Sequence, residues 1–170
     1  MIINMKKWKV VSTAVTFGKF HKEPVKRLEE IGCEVMINPF GRPFTTEEMI
    51  KYGKDADALI VGNDKVVKEA IDQCKKLKII AKHGVGVDGI DIKAAHDRGI
   101  IVTNAPGTNC QEVADCAMGF ILMLARDYYR AVFETKSGKW IKRPGISLYQ
   151  KTIGILGLGN IGTAMAKRAA

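Results

Sequence analysis

The first hundred positions of the chain alternate short apolar runs with amphipathic stretches. The apolar runs are rich in β-branched residues, which is typical of strands that are buried on both faces of a sheet. The stretches between them carry apolar residues at three- and four-residue spacing, as helices do. We therefore predict five strands, at residues 9–13, 34–37, 58–61, 78–81 and 100–103.

Helices are predicted between these strands. Val25, Leu28 and Ile31 share one helical face, and a glycine follows them as a terminator. The sequence from Thr45 to Glu48 is a capping-box pattern, in which the threonine hydroxyl accepts from the Glu48 amide while the Glu48 side chain reaches back. We therefore predict four helices in this part of the chain. One covers residues 24–31, one begins at the capping box, and the others cover residues 66–74 and 92–97.

The alternation of strands and helices predicts a mainly parallel sheet with helices on both faces, because parallel neighbours need a crossover connection. We expect an α/β fold, a flavodoxin-like doubly wound parallel sheet, over residues 1–104. Pro106 and Gly107 then interrupt the pattern. A second capping-box pattern, from Asn109 to Glu112, predicts a long helix that ends near Arg126. Residues 105–170 are thus expected to start a second domain.

A glycine-rich turn carries the clearest chemical signal in the chain. The apolar residues 152–156 predict a buried strand that leads into Gly157-x-Gly159-x-x-Gly162, and a helix opens within residues 163–166. The first glycine permits a tight turn, the second lets the backbone approach a pyrophosphate, and the third lets helix and strand pack closely. With the free amides of the helix N-terminus, this arrangement predicts a dinucleotide site. A glycine turn without a ligand is the alternative.

Composition narrows the choice of function. The chain has 170 residues, of which 46% are hydrophobic and 26% are charged, as in ordinary globular domains. The net charge of +9 comes from scattered basic residues, which favours a solvated face over a nucleic-acid patch. No apolar run approaches the roughly 20 residues that span a bilayer, and no secretion signal is visible, so we expect a cytoplasmic protein. The four cysteines lack CxxC spacing and are expected to be reduced and mostly buried.

Five short motifs follow one another in the second half of the chain. In chain order they are Lys82-His83-Gly84-Val85-Gly86-Val87-Asp88, Arg98 to Gly107, Val113-Ala114-Asp115, Gly138-Lys139-Trp140, and Lys151 to Gly159. Together they resemble the D-2-hydroxyacid dehydrogenase family, and within it the phosphoglycerate dehydrogenase-like branch. The resemblance covers residues 77–170 well, whereas residues 1–76 match only in the order of strands and helices.

The resemblance implies a two-domain subunit with its active site between a substrate domain and a Rossmann domain that binds NAD. It implies reversible hydride transfer between NAD and C2 of a small 2-hydroxy or 2-keto acid. The backbone amides of Val85 and Gly86 would bind the substrate carboxylate, and Val85 would also border the nicotinamide. Gly84 and Gly86 fit this role, because they expose the backbone at the carboxyl end of a strand. A tight turn without a ligand is the alternative.

Further positions match the cofactor side of the family. Asn160 and Ile161 fall where the family's backbone cradles the pyrophosphate, beside Gly157, Gly159 and Gly162. The acid that would distinguish NAD from NADP would lie about 20 residues after the turn, which is past residue 170. The choice between the two cofactors therefore stays open.

Two departures from the family bear on the substrate. Phosphoglycerate-specific relatives carry an arginine where this chain has Gly62, and a second basic position is Lys82 rather than arginine. Lysine binds phosphate as a point charge without the bidentate fork of arginine. Phosphoglycerate and a smaller 2-hydroxy or 2-keto acid therefore both stay open as substrates.

The family's catalytic arginine, acid and histidine would all follow residue 170. His83 and His96 are interpreted as structural and do not replace them. The chain by itself is thus expected to be inactive and to bind NAD poorly. A homodimer is expected because the helix at residues 109–126 is apolar on more than one face, with burial inside one subunit as the alternative. An NAD-responsive binding protein of the corepressor type on the same fold is the alternative function.

Overall fold

The computed structural model describes residues 7–170 of the chain. These residues form two compact units, of which one ends at Pro106 and the other begins at Gly107. In the part of the chain that is described, no helix has both the length and the apolar character needed to cross a membrane.

The first unit is built on a five-stranded parallel sheet with the strand order β2-β1-β3-β4-β5. This is the order of the flavodoxin-like doubly wound sheet, so the predicted fold class is confirmed. The strands lie within one residue of the predicted positions. They are β1 (Lys9–Ser12), β2 (Glu34–Met36), β3 (Ala58–Val61), β4 (Ile79–Lys82) and β5 (Ile101–Thr103).

Helices cover both faces of this sheet. One face packs the buried strand residues Leu59 and Ile80 against Met49 and Ile71, and the other packs Ile60 against a cluster that includes Val25. Successive residues of a strand point to opposite faces, which is why neighbours in β3 enter different clusters. The helices of this unit are α1 (Glu23–Glu30), α2 (Thr46–Gly53), α3 (Lys68–Gln73) and α4 (Ile92–Asp97).

The capping box at the start of α2 is confirmed. The Thr45 hydroxyl accepts from the Glu48 amide at 3.3 Å, and the Glu48 carboxylate accepts from the Thr45 amide at 2.9 Å. Arg42 adds two hydrogen bonds to the same carboxylate, at 2.7 and 2.8 Å. This cluster fixes the loop between β2 and α2 at the carboxyl edge of the sheet.

The second unit consists of three helices and their connections. A small core of Ala114, Ala164 and Met165 joins the first helix of the unit to the last. Of the first helix only Ala114 is buried, so its remaining apolar residues stay partly or fully exposed in this chain. The helices are α5 (Cys110–Ala125), α6 (Tyr128–Lys136) and α7 (Asn160–Ala169).

Two predictions for this unit are wrong. Residues 152–156 do not form a strand, because a strand needs hydrogen bonds to a neighbouring strand and no described residue pairs with this segment. Asn109 is the N-cap of α5 but its side chain makes no capping hydrogen bond, since its ψ of 13° departs from the extended conformation that a capping side chain needs. In addition, α7 begins at Asn160, three residues before the expected position.

The four cysteines are free thiols, but the expectation that most of them are buried is wrong. Only Cys74 is buried among them, and burial raises the pKa of its thiol to about 11. Cys33 lies in the turn before β2, while Cys110 and Cys116 lie on the partly exposed helix α5. Across residues 7–170 the structure brings no three side chains together as a candidate metal site.

Candidate functional site

The loop after β4 forms one candidate site, at the carboxyl edge of the sheet. The amide of His83 still donates to the Val61 carbonyl at 2.8 Å, so the chain leaves the sheet after this residue. Gly84 then adopts a φ of +148°, a conformation that L side chains rarely adopt. The glycine therefore lets the backbone turn outward at the edge where doubly wound sheets place their ligands.

Two carbonyl groups of this loop accept hydrogen bonds, while the amides of two of its residues donate none within residues 7–170. The carbonyl of Gly84 accepts from the Ala105 amide at 2.9 Å, and the carbonyl of Val85 accepts from the Asn104 side chain at 2.8 Å. No acceptor within residues 7–170 takes the N–H groups of Val85 and Gly86. Two successive free amides of this kind are donors for an anion such as a carboxylate.

Lys82, the last residue of β4, lies against this loop. A Cβ placed on Gly84 would be 3.4 Å from Cε of Lys82, so the lysine side chain passes beside the glycine. The Lys82 ammonium donates a hydrogen bond to the carbonyl oxygen of Gly62, at the end of β3. The structure thus places a positive charge at the carboxyl ends of two neighbouring strands.

Gly62 is closely packed against Ala14, in the segment that follows β1. A Cβ at this position would lie 3.1 Å from Cα and 3.4 Å from Cβ of Ala14. Distances this short require the neighbouring backbone to move, so a side chain is disfavoured here. The amide of Gly62 donates to Asp64 at 2.8 Å.

Asp64 is a residue that sequence reasoning missed. The residue is buried, with 3% exposure. Its carboxylate accepts hydrogen bonds from the Thr13 hydroxyl at 2.6 Å, from the Phe44 amide at 2.7 Å and from the Gly62 amide. It therefore joins the loops that follow β1, β2 and β3. The available signal was an acid three positions after the carboxyl end of a buried strand.

The loops after β3 and β4 are also joined to each other. The amide of Val66 donates to the Gly89 carbonyl at 2.7 Å, and the amide of Asp91 donates to the Val66 carbonyl at 2.9 Å. A Cβ on Gly89 would lie 2.6 Å from the carbonyl oxygen of Asp64, so this close approach requires glycine. These contacts fix the end of the loop after β4 that lies away from Gly84.

The two histidines of this unit that sequence reasoning weighed make peripheral contacts. Nδ1 of His83 lies 3.4 Å from the Thr16 hydroxyl, and its ring packs edge-on against Phe17 at a centroid distance of 5.8 Å. His96 is highly exposed on α4, with its nearest carboxylate, that of Asp97, at 3.9 Å.

The glycine turn before α7 is the second candidate site, and it lies in the second unit. Gly157 has a φ of +93°, and a Cβ on Gly162 would collide with the Gly157 carbonyl oxygen. A Cβ on Gly159 would meet nothing within 4 Å, so the backbone there is open to an approaching group. The three glycines therefore have three different geometric roles, in agreement with those of a dinucleotide-binding turn.

The N-terminus of α7 directly follows this turn. Gly159 is its N-cap and no side chain caps the helix, which leaves the first amides, those of Asn160 and Ile161, without an intrahelical partner. Free amides and the helix dipole favour an anion at such an end. The side-chain nitrogen of Asn160 lies close to Gly107, where a Cβ would be 3.4 Å away.

The fold and the two turns define a class of protein: an α/β protein with a parallel sheet and a glycine turn of the dinucleotide-binding type. Comparison with known families identifies one family model that matches nearly the whole chain. Residues 10–169 match the family model described as D-isomer specific 2-hydroxyacid dehydrogenase, catalytic domain. The chain belongs to this family.

Curated relatives include enzymes with different substrates. The chain is 43% identical to D-3-phosphoglycerate dehydrogenase of Methanocaldococcus jannaschii over 152 residues, which cover 88% of this chain and 28% of the relative. It is 44% identical to hydroxypyruvate reductase of Thermotoga maritima over 150 residues, which cover 84% of this chain and 49% of the relative. The chain thus spans about half or less of the length of these relatives.

Solved structures agree with the fold. The NAD+-bound 3-phosphoglycerate dehydrogenase of Entamoeba histolytica matches with a TM-score of 0.77 and 32% identity, over 96% of this chain and 51% of that one. The NAD-dependent formate dehydrogenase of Staphylococcus aureus, in complex with NAD, matches with a TM-score of 0.75 and 28% identity, over 94% of this chain and 52% of that one.

Proposed function

We propose that the protein containing this chain is an NAD-dependent D-2-hydroxyacid dehydrogenase, which transfers hydride reversibly between NAD and C2 of a small 2-hydroxy or 2-keto acid. The observation that carries this proposal is the pair of free amides at Val85 and Gly86, at the carboxyl edge of a parallel sheet. Membership of the family and the named activities of its relatives support the same reaction class.

The substrate carboxylate would accept from the amides of Val85 and Gly86. Hydrogen bonds from two amides to a carboxylate are charge-assisted and fix its orientation, which places C2 at a defined distance from the loop. The hydrogen bonds that Asn104 and Ala105 make to the loop carbonyls hold both amides outward. Lys82 would attract the anion and bind a polar substituent next to the carboxylate.

The dinucleotide pyrophosphate would lie at the N-terminus of α7. The amides of Asn160 and Ile161 would donate to it, and the open space beside Gly159 would admit it close to the backbone. Bound NAD would supply the hydride acceptor of the reaction. Val85, which is 37% exposed, would border the nicotinamide as the family resemblance implies.

The roles of the two units follow from this scheme. We assign substrate binding to residues 1–104, and to residues 105–170 the connecting helix and the start of the NAD-binding domain, with its glycine turn and the helix that follows it. The division of the chain between Pro106 and Gly107 supports this assignment. These 170 residues alone are proposed to be inactive, because the family's catalytic arginine, acid and histidine match no residue among them. The absence of a membrane-crossing helix in the described chain is compatible with the cytoplasm as the proposed location.

An assay and a binding experiment test the proposal. The purified full-length protein is incubated with NADH and a panel of 2-keto acids. We expect a fall in NADH absorbance with at least one of these acids. Separately, oxamate, a non-reacting analogue of a 2-keto acid, is titrated while the amide resonances of Val85 and Gly86 are observed. The absence of turnover with every acid, together with unshifted resonances, would refute the proposed function.

We also propose that the protein forms a homodimer through α5 and α6. Phe120 and Leu124 of α5 are 59% and 83% exposed, and Tyr129 and Phe133 of α6 are 72% and 69% exposed. A patch of this kind on a soluble protein marks an interaction surface. Light scattering of the wild type should give twice the subunit mass, and Leu124→Glu should reduce it, whereas Lys136→Glu should not. A monomeric wild type at micromolar concentration contradicts this proposal.

A further inference from the structure

The substituent that the substrate carries beyond its carboxylate would lie near Lys82 if the proposed function is correct, and the following inference rests on that function. Lys82 passes beside Gly84 and reaches the end of β3. Whether a phosphate is accepted there depends on how much positive charge this end of the sheet offers. Three features of the structure bear on that quantity.

The first feature is that the Lys82 ammonium already has a partner. It donates to the carbonyl oxygen of Gly62, whose partial negative charge lies directly against it. An incoming anion must share the ammonium with this carbonyl. The attraction that Lys82 exerts on a dianion is therefore weaker than that of an unpaired lysine.

The second feature is the buried carboxylate of Asp64, which contacts the amide of the same residue, Gly62, whose carbonyl contacts Lys82. The Gly62 amide donates to Asp64 at 2.8 Å while the Gly62 carbonyl accepts from Lys82. One residue thus separates the two charged groups, and covalent geometry keeps them within about 9 Å of each other. Because Asp64 is only 3% exposed, solvent screens its charge poorly. The negative charge of Asp64 therefore repels a dianion placed beside Lys82.

The third feature is the close packing of position 62. A Cβ there would lie 3.1 Å from Cα of Ala14, so an arginine at this position would require the backbone after β1 to shift by a few tenths of an ångström. A further carboxylate, that of Asp88, lies beside the loop, with Oδ2 at 3.1 Å from the place of a Cβ on Gly86. Among the charged groups described here, one ammonium, which already has a partner, is set against two carboxylates. Their combined charge disfavours a dianion at this end of the sheet.

We propose that Asp64 and Gly62 together restrict this site to 2-hydroxy and 2-keto acids that carry no phosphate. Lys82 then serves a substrate with a neutral substituent such as a hydroxyl, while the carboxylate of the substrate is held by the loop amides. Asp64 acts as a specificity-determining residue through Gly62 and Lys82, without touching the substrate itself.

The first test compares hydroxypyruvate with 3-phosphohydroxypyruvate as substrates of the purified full-length protein. The wild type should have the higher kcat/KM for hydroxypyruvate. Asp64→Asn removes the charge while it keeps the size of the side chain, and it should raise the ratio of kcat/KM for the phosphorylated over the unphosphorylated substrate about tenfold. A folded, active variant whose ratio changes less than twofold would overturn the proposal.

Asp57→Asn provides the matched control. Asp57 is also a buried carboxylate, 2% exposed, and it directly precedes β3, at the amino end of the strand. Its neutralisation should leave the substrate ratio unchanged. An equal rise of the ratio in both variants would mean that general loosening of the sheet, and not the charge of Asp64, controls the preference, and this result would also overturn the proposal.

A binding measurement on the wild type keeps the proposal testable if Asp64→Asn fails to fold. D-glycerate and 3-phosphoglycerate are titrated calorimetrically in the presence of NADH, and D-glycerate should bind at least as tightly. Binding of 3-phosphoglycerate that is ten times tighter would overturn the inference. If neither compound binds and no 2-keto acid is reduced, the proposed function itself fails; if turnover occurs and only the preference is reversed, the function stands and the inference fails.

Discussion

Arg168 of α7 and Asp115 of α5 are joined by a hydrogen-bonded ion pair of 2.6 Å between Nε and Oδ1. The same guanidinium donates to the side chain of Gln111 at 2.9 Å and to its backbone carbonyl at 3.2 Å. This polar contact lies beside the apolar cluster of Ala114, Ala164 and Met165 that packs α5 against α7. The glycine turn precedes α7 directly, so its position depends on how α7 is held.

Replacement of this arginine should loosen the second unit. Arg168→Ala is expected to lower the free energy of unfolding by about 0.5–1 kcal/mol, since the contacts that it removes are partly exposed to solvent. The change is measured by urea denaturation, together with faster amide exchange in α7. Lys167→Ala, an exposed neighbour on the same helix, is the control. Equal effects of both substitutions would show that these contacts contribute nothing beyond helix propensity.

The three glycines of the turn should respond differently to alanine. Gly162→Ala should destabilise the second unit by more than about 2 kcal/mol, because its Cβ collides with the Gly157 carbonyl oxygen. Gly157→Ala should cost about 1–2 kcal/mol for its positive φ. Gly159→Ala should leave unfolding nearly unchanged but weaken NADH binding, which fluorescence titration measures. If Gly159→Ala binds NADH as the wild type does, the proposed position of the pyrophosphate is wrong.

Glu48 should make the stability of the first unit depend on acidity. The hydrogen bonds from Arg42, then that from the Thr45 amide, hold the pKa of Glu48 at about 2, below its usual 4.5. The folded-state pKa is the lower one, so this stabilisation is present above pH 4.5 and is lost as the pH falls toward 2. Glu48→Gln should therefore flatten the pH dependence of unfolding in that window, measured by denaturation at several pH values. Glu30→Gln, on the exposed part of α1, should leave the slope unchanged; a wild-type slope in Glu48→Gln would refute the assignment.

Asn38 should be a large contributor to the stability of the carboxyl edge. Its side-chain nitrogen donates to the carbonyls of Thr13 and Arg42, and its oxygen accepts from the amides of Phe40 and Gly41 at 2.8 and 3.2 Å. Asn38→Ala is expected to cost about 2–3 kcal/mol in thermal or urea unfolding. Asn38→Asp keeps the acceptor and loses the donors, so its loss should be intermediate. Similar stability of all three proteins would contradict this role.

Much of the first unit could be predicted from the sequence because its signals are local. The apolar runs around Val10, Leu59 and Ile80 are short and lie between helical stretches, and that pattern alone favours parallel strands with crossovers. The capping box at Thr45 and Glu48 depends on residues three positions apart, and the structure contains it.

The remaining features depend on partners that are distant in the sequence or on backbone conformation. Asp64 receives its hydrogen bonds from Thr13 and Phe44, 51 and 20 positions away, so no local pattern reveals it. Residues 152–156 are apolar enough for a strand, but strand geometry requires hydrogen bonds from a neighbour. Asn109 has the right residue type for a cap, and its backbone angles still prevent the bond.

The outward amides of Val85 and Gly86 have a consequence for how this site changes during evolution. Every residue except proline carries an N–H group, so carboxylate binding by these amides, as proposed, would survive nearly any replacement of the Val85 side chain. Drift at that position would then reshape the surface beside the loop while the proposed anchor for the acid group is inherited intact. Descendants of such a site can thus exchange one 2-hydroxy acid for another by side-chain substitutions alone, without rebuilding the part that recognises an acid.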